Sequence, residues 1–228
     1  MKPTRRTQRG FTLTEILVTI TILIVLAVLS TIGVSRIRET ARRSASANNL
    51  RQFGVAITSF VADNNGYMPA SRTGSYYWPQ VVWSNLESLD VFLIPKTPDR
   101  PMDWAKGKDG WFAGVNAETP DKRQIRWNYV INGGHPDSPF AEVGSDGKGL
   151  SGIKQGISRP FRDIVDPTRT VMMAEGNGSW WINGNGATRI RTWANGSSNI
   201  LWCDGSLQSL NPKKDLRAEY FKVTRTGF

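Results

Sequence analysis

Apolar positions change their spacing along the chain, and each change marks a boundary. From Phe11 to Val34 the only charged residue is Glu15, and from Ile16 to Val34 there are 19 uncharged residues in succession. Such a run is long enough for a membrane segment; as a helix, the 24 residues 11–34 span roughly 36 Å. Beyond it, Ile37, Ala41, Ala45, Leu50, Phe53, Ile57 and Phe60 recur mostly at three- to five-residue intervals, with Arg, Asn and Gln between them. This is the spacing of a helix with one apolar face. The pattern stops at Asn64-Asn65-Gly66, where Asn or Gly can take the left-handed conformation that closes a helix. One helix from about Thr14 to Asn64, roughly 75 Å long, is therefore predicted. Gly33 and Gly54 are its weak points, each costing up to about 1 kcal/mol against alanine. Its first half is expected in a membrane and its second half packed by one face on a sheet.

Residues 66–124 are punctuated by proline and glycine, and Pro95, Pro98 and Pro101 fall within seven residues. Regular structure is not expected there. Strands are predicted after that point. Residues 124–131 alternate, with Ile125, Trp127, Tyr129 and Ile131 on one face and Arg126 and Asn128 on the other. Residues 170–174 form a short apolar run. Residues 199–203 and 206–210 flank Asp204-Gly205, the strongest hairpin signal in the chain, and this hairpin is expected at the centre of the domain. An edge strand is expected at 219–223. The predicted class is α+β: a long N-terminal helix packed on a small antiparallel sheet with long loops.

Charge and composition narrow the function. The 228 residues carry a formal net charge of +10, but Lys2, Arg5, Arg6 and Arg9 supply four of it, leaving +6 without them. The remaining basic residues form no cluster with interleaved aromatics, so no nucleic-acid module is expected. The single cysteine, Cys203, excludes an internal disulfide, a CxxC site and a zinc knuckle. The single histidine, His135, argues against histidine-based metal or triad chemistry.

A secretory signal has an apolar core of about 7–15 residues and a small-residue cleavage site. This run is longer, and Leu29-Ser30-Thr31-Ile32-Gly33 offers no such site. An acid inside an apolar span costs about 2.5–3.5 kcal/mol near its centre and less near its edge, so Glu15 calls for a partner. The segment Arg9-Gly10-Phe11-Thr12-Leu13-Thr14-Glu15-Ile16-Leu17 resembles the class III signal of type IV pilins and type II secretion pseudopilins. The resemblance implies cleavage after Gly10 by a prepilin peptidase and methylation of the new amine on Phe11. It also implies that Glu15, fifth in the mature chain, pairs with the N-terminal amine of a neighbouring subunit. A carboxylate in an apolar span needs a cation, and that amine would supply one. Positive residues on the two sides of the span nearly balance, so it is the resemblance that places the leader in the cytoplasm. Residues 48–52, 63–69, 166–175 and 199–205 also look like a large bacterial group of pilin-like proteins. In that group a histidine usually stands ten residues before the Asp-Gly aspartate; here the position is Ala194.

The organisation that follows is a basic leader at 1–10, a transmembrane helix at 11–34, its amphipathic continuation at 35–65, and an extracytoplasmic domain at 66–228. No catalytic set emerges. Nine tryptophans, including Trp180-Trp181, suit packing better than stacking on sugars or bases. Calcium is the one cofactor to weigh, at Asp99, Asp103 and Asp109 or at Asp137, Glu142 and Asp146, but neither group has EF-hand spacing. Solvated loop carboxylates fit better. Cys203 reads as a small buried hydrophobe. The expectation is a non-enzymatic filament subunit of a pilus or a secretion pseudopilus, anchored in the inner membrane by a single pass. Its partners would be prepilin peptidase, other pilin or pseudopilin subunits and membrane lipid. The alternative is a membrane-anchored glycan-binding or hydrolytic domain.

Overall fold

A computed structural model describes residues 11–73, 76–86, 88–95, 118–123, 125, 127–133, 139–140, 157–176, 181–182 and 190–222, without the side chains of 29–33, 35–36, 73, 76, 157 and 181. The chain divides into two units, Met1–Ala41 and Arg42–Phe228. One helix, α1 (Leu13–Asp63), runs through the division. It matches the predicted helix to within a residue at each end. Its stop is also as expected, since Asn65 (φ 55°) and Gly66 (φ 82°) both take the left-handed conformation. The Gly66 amide then donates to the Val61 carbonyl at 2.8 Å, satisfying one of the orphan carbonyls of the last turn.

In the first unit the large apolar side chains of α1 are exposed, Leu17 at 63 % and Leu23 at 64 %. The expected transmembrane segment at 11–34 finds no support as a span: among the described residues no helix is long and apolar enough to cross a membrane. Within the apolar run, the side chains of residues 29–33 lie outside the described ones.

In the second unit α1 buries a narrow stripe, Ser46, Leu50, Phe53 and Ile57, at steps of four, three and four. That is the spacing of one helical face. Phe53 is its centre, meeting Trp78 at 5.4 Å, Phe92 at 5.3 Å and Tyr129 at 5.2 Å in edge-on contacts. Gly54 has a packing reason. A Cβ there would lie 3.4 Å from Leu201 Cδ2, so glycine lets the helix sit close on the sheet.

The main sheet has five strands: β4 (Tyr129–Asn132), β6 (Val171–Glu175), β7 (Trp181–Ile182), β8 (Ser198–Trp202) and β9 (Leu207–Leu210). Their order is β7-β4-β6-β8-β9, and all neighbours are antiparallel except β4 and β7, which are parallel. The three inner strands are buried along their length because both faces are covered. Leu50, Phe53, Tyr129, Ile131 and Met173 belong to one cluster; Val130, Ala174, Ile200, Trp202 and Phe221 belong to the other. The arrangement is α+β, as expected.

Four details differ from the sequence reading. The Asp204-Gly205 hairpin joins β8 to β9, so it lies at one edge of the sheet and β6 holds the centre. The strand expected from 124 begins only at Tyr129. The Asn128 carbonyl still accepts from the Gly176 amide beside β6, but its amide donates to the Phe92 carbonyl and its Oδ1 accepts from the Ile94 amide, so the residue before Tyr129 is tied on its other side to the Phe92–Ile94 segment. Among the described residues of the expected edge strand, 219–222, no strand forms; Ala218–Phe221 is a 3₁₀ turn that buries Phe221 and sets Tyr220 against Trp202 at 5.6 Å. Short elements do occur before residue 95. They are β1 (Tyr67–Pro69), paired with β5 (Ile157–Pro160), the β2 (Arg72–Thr73) and β3 (Tyr76–Tyr77) pair, and α2 (Trp78–Val82). A last short helix, α3 (Pro212–Asp215), follows β9.

Candidate functional site

The predicted functional residues sit at the start of α1. Phe11 and Thr12 precede the helix, which begins at Leu13, so Thr12 is its N-cap and Glu15 is the third helical residue. Thr12 Oγ1 accepts from the Glu15 amide at 3.3 Å, and Glu15 Oε2 accepts from the Thr12 amide at 2.8 Å. The Thr12 hydroxyl also donates to Oε2 at 2.8 Å. This is a capping box, in which two orphan donors of the first turn are satisfied reciprocally. Its sequence signal is Thr-Leu-Thr-Glu, which overlaps the Gly-Phe-x3-Glu spacing.

The box has a chemical consequence. Oε2 is engaged twice, whereas Oε1 has no hydrogen-bond partner among the described residues. Phe11, Thr14, Glu15, Ile16, Val18 and Thr19 line one recess along the helix, so Glu15 shares a face with the first residue after the expected cleavage point. Gly10 itself lies outside the described residues.

A second carboxylate, Glu175 at the end of β6, went unnoticed in the sequence. It is 1 % exposed. Oε1 accepts from Ser46 Oγ at 2.6 Å and from Asn199 Nδ2 at 2.8 Å. Oε2 accepts from Trp193 Nε1 at 2.7 Å, the Asn199 amide at 2.9 Å and Ser198 Oγ at 3.2 Å. Tyr129 Oη stands 3.0 Å from Ser46 Oγ. Burial pushes the Glu175 carboxyl above its ordinary range, while the donors from Ser46, Asn199 and Trp193 pull it back. Burial also pushes the Tyr129 phenol up, so it stays protonated. No sequence signal marks such a group, because its donors come from α1, β8 and the loop before β8.

The other candidates resolve by burial or fall outside the described residues. Trp78, Trp83, Trp127, Trp193 and Trp202 are buried in the core, which bears out packing for these five. Burial raises the Cys203 thiol well above its usual range, so it is a packed hydrophobe and not a nucleophile. His135, Trp180 and the six acids weighed for calcium lie outside the described residues. Among the described residues no group of three or more His, Cys, Asp or Glu side chains could hold a metal ion.

Two family models match the chain. The prokaryotic N-terminal methylation motif matches residues 5–31. A family described as a protein of unknown function (DUF1559) matches residues 35–83. No curated protein and no solved structure matches. The matched residues cover α1 except for 32–34 and continue to Trp83, and β4–β9 lie outside them.

Proposed function

From the premise that this chain is pilin-like and carries a prepilin-type N-terminal motif, we propose that it is a filament subunit, cut after Gly10, methylated on Phe11 and assembled through α1. It serves a type IV pilus-like fibre or a type II secretion pseudopilus. Residues 11–34 hold it in the inner membrane before assembly, with the leader cytoplasmic and the C-terminal unit outside. Its partners are prepilin peptidase and other pilin or pseudopilin subunits.

One observation carries the reading. The motif's acid stands in the first turn of a helix whose apolar residues from Leu13 to Val28 are exposed, and one of its oxygens is open to an outside donor. An exposed apolar surface of that kind calls for lipid or another helix. A carboxylate oxygen placed beside it there calls for a cation. In this reading Oε1 receives the methylated amine of the adjacent subunit, and Oε2 stays with Thr12.

The test is N-terminal mass analysis together with crosslinking between neighbouring helices in the native membrane. Mature protein should start at N-methylated Phe11, and Gly10→Val should retain the leader. Glu15→Gln should be cut and inserted like the parent but fail to crosslink. Assembled protein that still carries Met1, or Glu15→Gln that assembles like the parent, would overturn the proposal. The alternative of an anchored glycan-binding or hydrolytic domain gains no support from the described tryptophans, all five buried ones being core residues.

A further inference from the structure

Ser46 is the one polar side chain in the stripe that α1 lays on the sheet; Leu50, Phe53, Ala56 and Ile57 make up the rest. It is fully buried, and its hydroxyl meets Glu175 Oε1 at 2.6 Å. Apolar packing centred on Phe53 opposes a slip of α1 along the sheet, but displaced apolar side chains can still meet apolar neighbours. A buried polar contact adds a sharper penalty, because a displaced partner leaves an unsatisfied group in low dielectric.

The surroundings of Ser46 sharpen the point. The same turn of α1 makes two more polar contacts with the sheet: Asn199 Nδ2 donates to the Arg43 carbonyl at 3.2 Å, and the Arg43 guanidinium donates to Ser209 Oγ. Sliding α1 by one turn, about 5.4 Å, would bring either Leu50 or Arg42 to the position of Ser46. Leucine would strip Glu175 of a donor. Arginine does not fit the serine-sized space beneath Tyr129 Oη, which lies 3.0 Å from Ser46 Oγ. Slipping by one turn in either direction is therefore penalised at the same atom.

We propose that the Ser46–Glu175 contact is a register lock that fixes, to a single turn, where residues 42–63 of α1 lie along the sheet. Glu175 is the fixed half of the lock. Three N–H donors, from Trp193, Asn199 and the Asn199 amide, hold it in place on the sheet side, and Ser46 is the movable half. The purpose rests on the filament reading, since subunits that assemble through one helix must all fasten their domains at the same helical residue. The lock itself does not depend on that reading.

The test uses the full chain in detergent micelles, with Cys203→Ala and spin labels on cysteines replacing Val55 and Val165, two positions 72 % and 66 % exposed. The parent should give a single narrow distance. Ser46→Ala, which removes one hydroxyl, should add a second population displaced by up to about 5 Å, the rise of one turn. Leu50→Ala weakens the same stripe without touching the lock and should keep the single distance. A single unchanged distance in Ser46→Ala would overturn the proposal. So would a second population in both variants, because any loosening of the stripe would then suffice. N-terminal processing should be normal in both, so a defect there would bear on the filament reading and not on the lock.

Discussion

The two halves of α1 present opposite solutions to one problem. In its first half, Leu13, Leu17 and Leu23 are 81 %, 63 % and 64 % exposed. In its second half, Leu50 and Phe53 are wholly buried, and the exposed faces are mostly polar, with Val55 an exception. Two carboxylates set the halves apart: Glu15 in the first turn of α1, and Glu175 of β6, which meets Ser46 of the second half. Glu15 is served on one oxygen by its own first turn, and the other oxygen is left open. Glu175 receives five hydrogen bonds from groups that the fold brings together. A carboxylate completed within the chain stabilises that chain, whereas one left half-served is suited to a partner. The apolar surfaces obey the same logic, because the second half finds its cover in the sheet and the first half finds none within its own unit.

The largest effect should come from the buried stripe. Phe53→Ala removes a ring that meets three other aromatics, and truncating a fully buried Phe costs about 3–5 kcal/mol. Leu23→Ala, by contrast, should leave thermal unfolding of the second unit unchanged, because Leu23 is 64 % exposed in the first unit. Calorimetry of both variants in one detergent would break the comparison if their midpoints fell by similar amounts.

The buried carboxylate gives a pH dependence of defined sign. Burial raises the Glu175 carboxyl above its usual range, so the folded state binds this proton more tightly than the unfolded chain does. The stability it contributes is then fully present below the ordinary carboxyl range and is lost as pH rises through the folded value. Trp193 Nε1 donates to Glu175 Oε2 at 2.7 Å, so the indole proton resonance should report the titration. A midpoint above the ordinary carboxyl value of 4.5 is expected. A midpoint at or below it would mean that the five donors outweigh burial, and the site would stabilise the fold at high pH instead.

Much of α1 was legible in the sequence because its signals are local: an uncharged run, a 3.6-residue period and an Asn-Asn-Gly stop. The hairpin at Asp204-Gly205 was legible for the same reason. Its place at the sheet edge was not, since strand order depends on pairings such as Tyr129 with Glu175, which are far apart in sequence. The start of β4 was misplaced because alternation at Ile125 and Trp127 reports burial, not ladder pairing; both residues are in the core without being in a strand. Of the candidate site, Phe11 and Glu15 were legible as a spacing. The Glu175 cluster was invisible, because a lone glutamate after Val-Met-Met-Ala gives no hint of donors on α1 and β8.

A smaller effect tests how α1 ends within the second unit. Gly66 has φ 82° and open space around it, so Gly66→Ala meets no clash and pays only for a left-handed backbone, about 1 kcal/mol. Chemical denaturation should show that loss with an unchanged slope. A loss near that of Phe53→Ala would mean that the helix stop is coupled to the core more tightly than its geometry suggests.

The smallest effect should be confined to the first turn, and it separates the two carboxylates most directly. Thr12→Ala removes the hydroxyl that accepts from the Glu15 amide and donates to Glu15 Oε2, while the Thr12 backbone amide remains to serve that oxygen. The helix should fray by about one turn, the reach of an N-cap. Amide exchange should quicken over residues 13–16 and stay as in the parent from Ser46 onward. The Glu15 side chain, less firmly held, should then sample more rotamers. In the filament reading this lowers crosslinking between neighbours without abolishing it, because the charge is intact. If Thr12→Ala crosslinks as poorly as Glu15→Gln, the hydroxyl itself must contact the neighbouring chain. If exchange is unchanged throughout, the capping box does not set the start of α1, and Glu15 is as free in this chain as an uncapped acid would be.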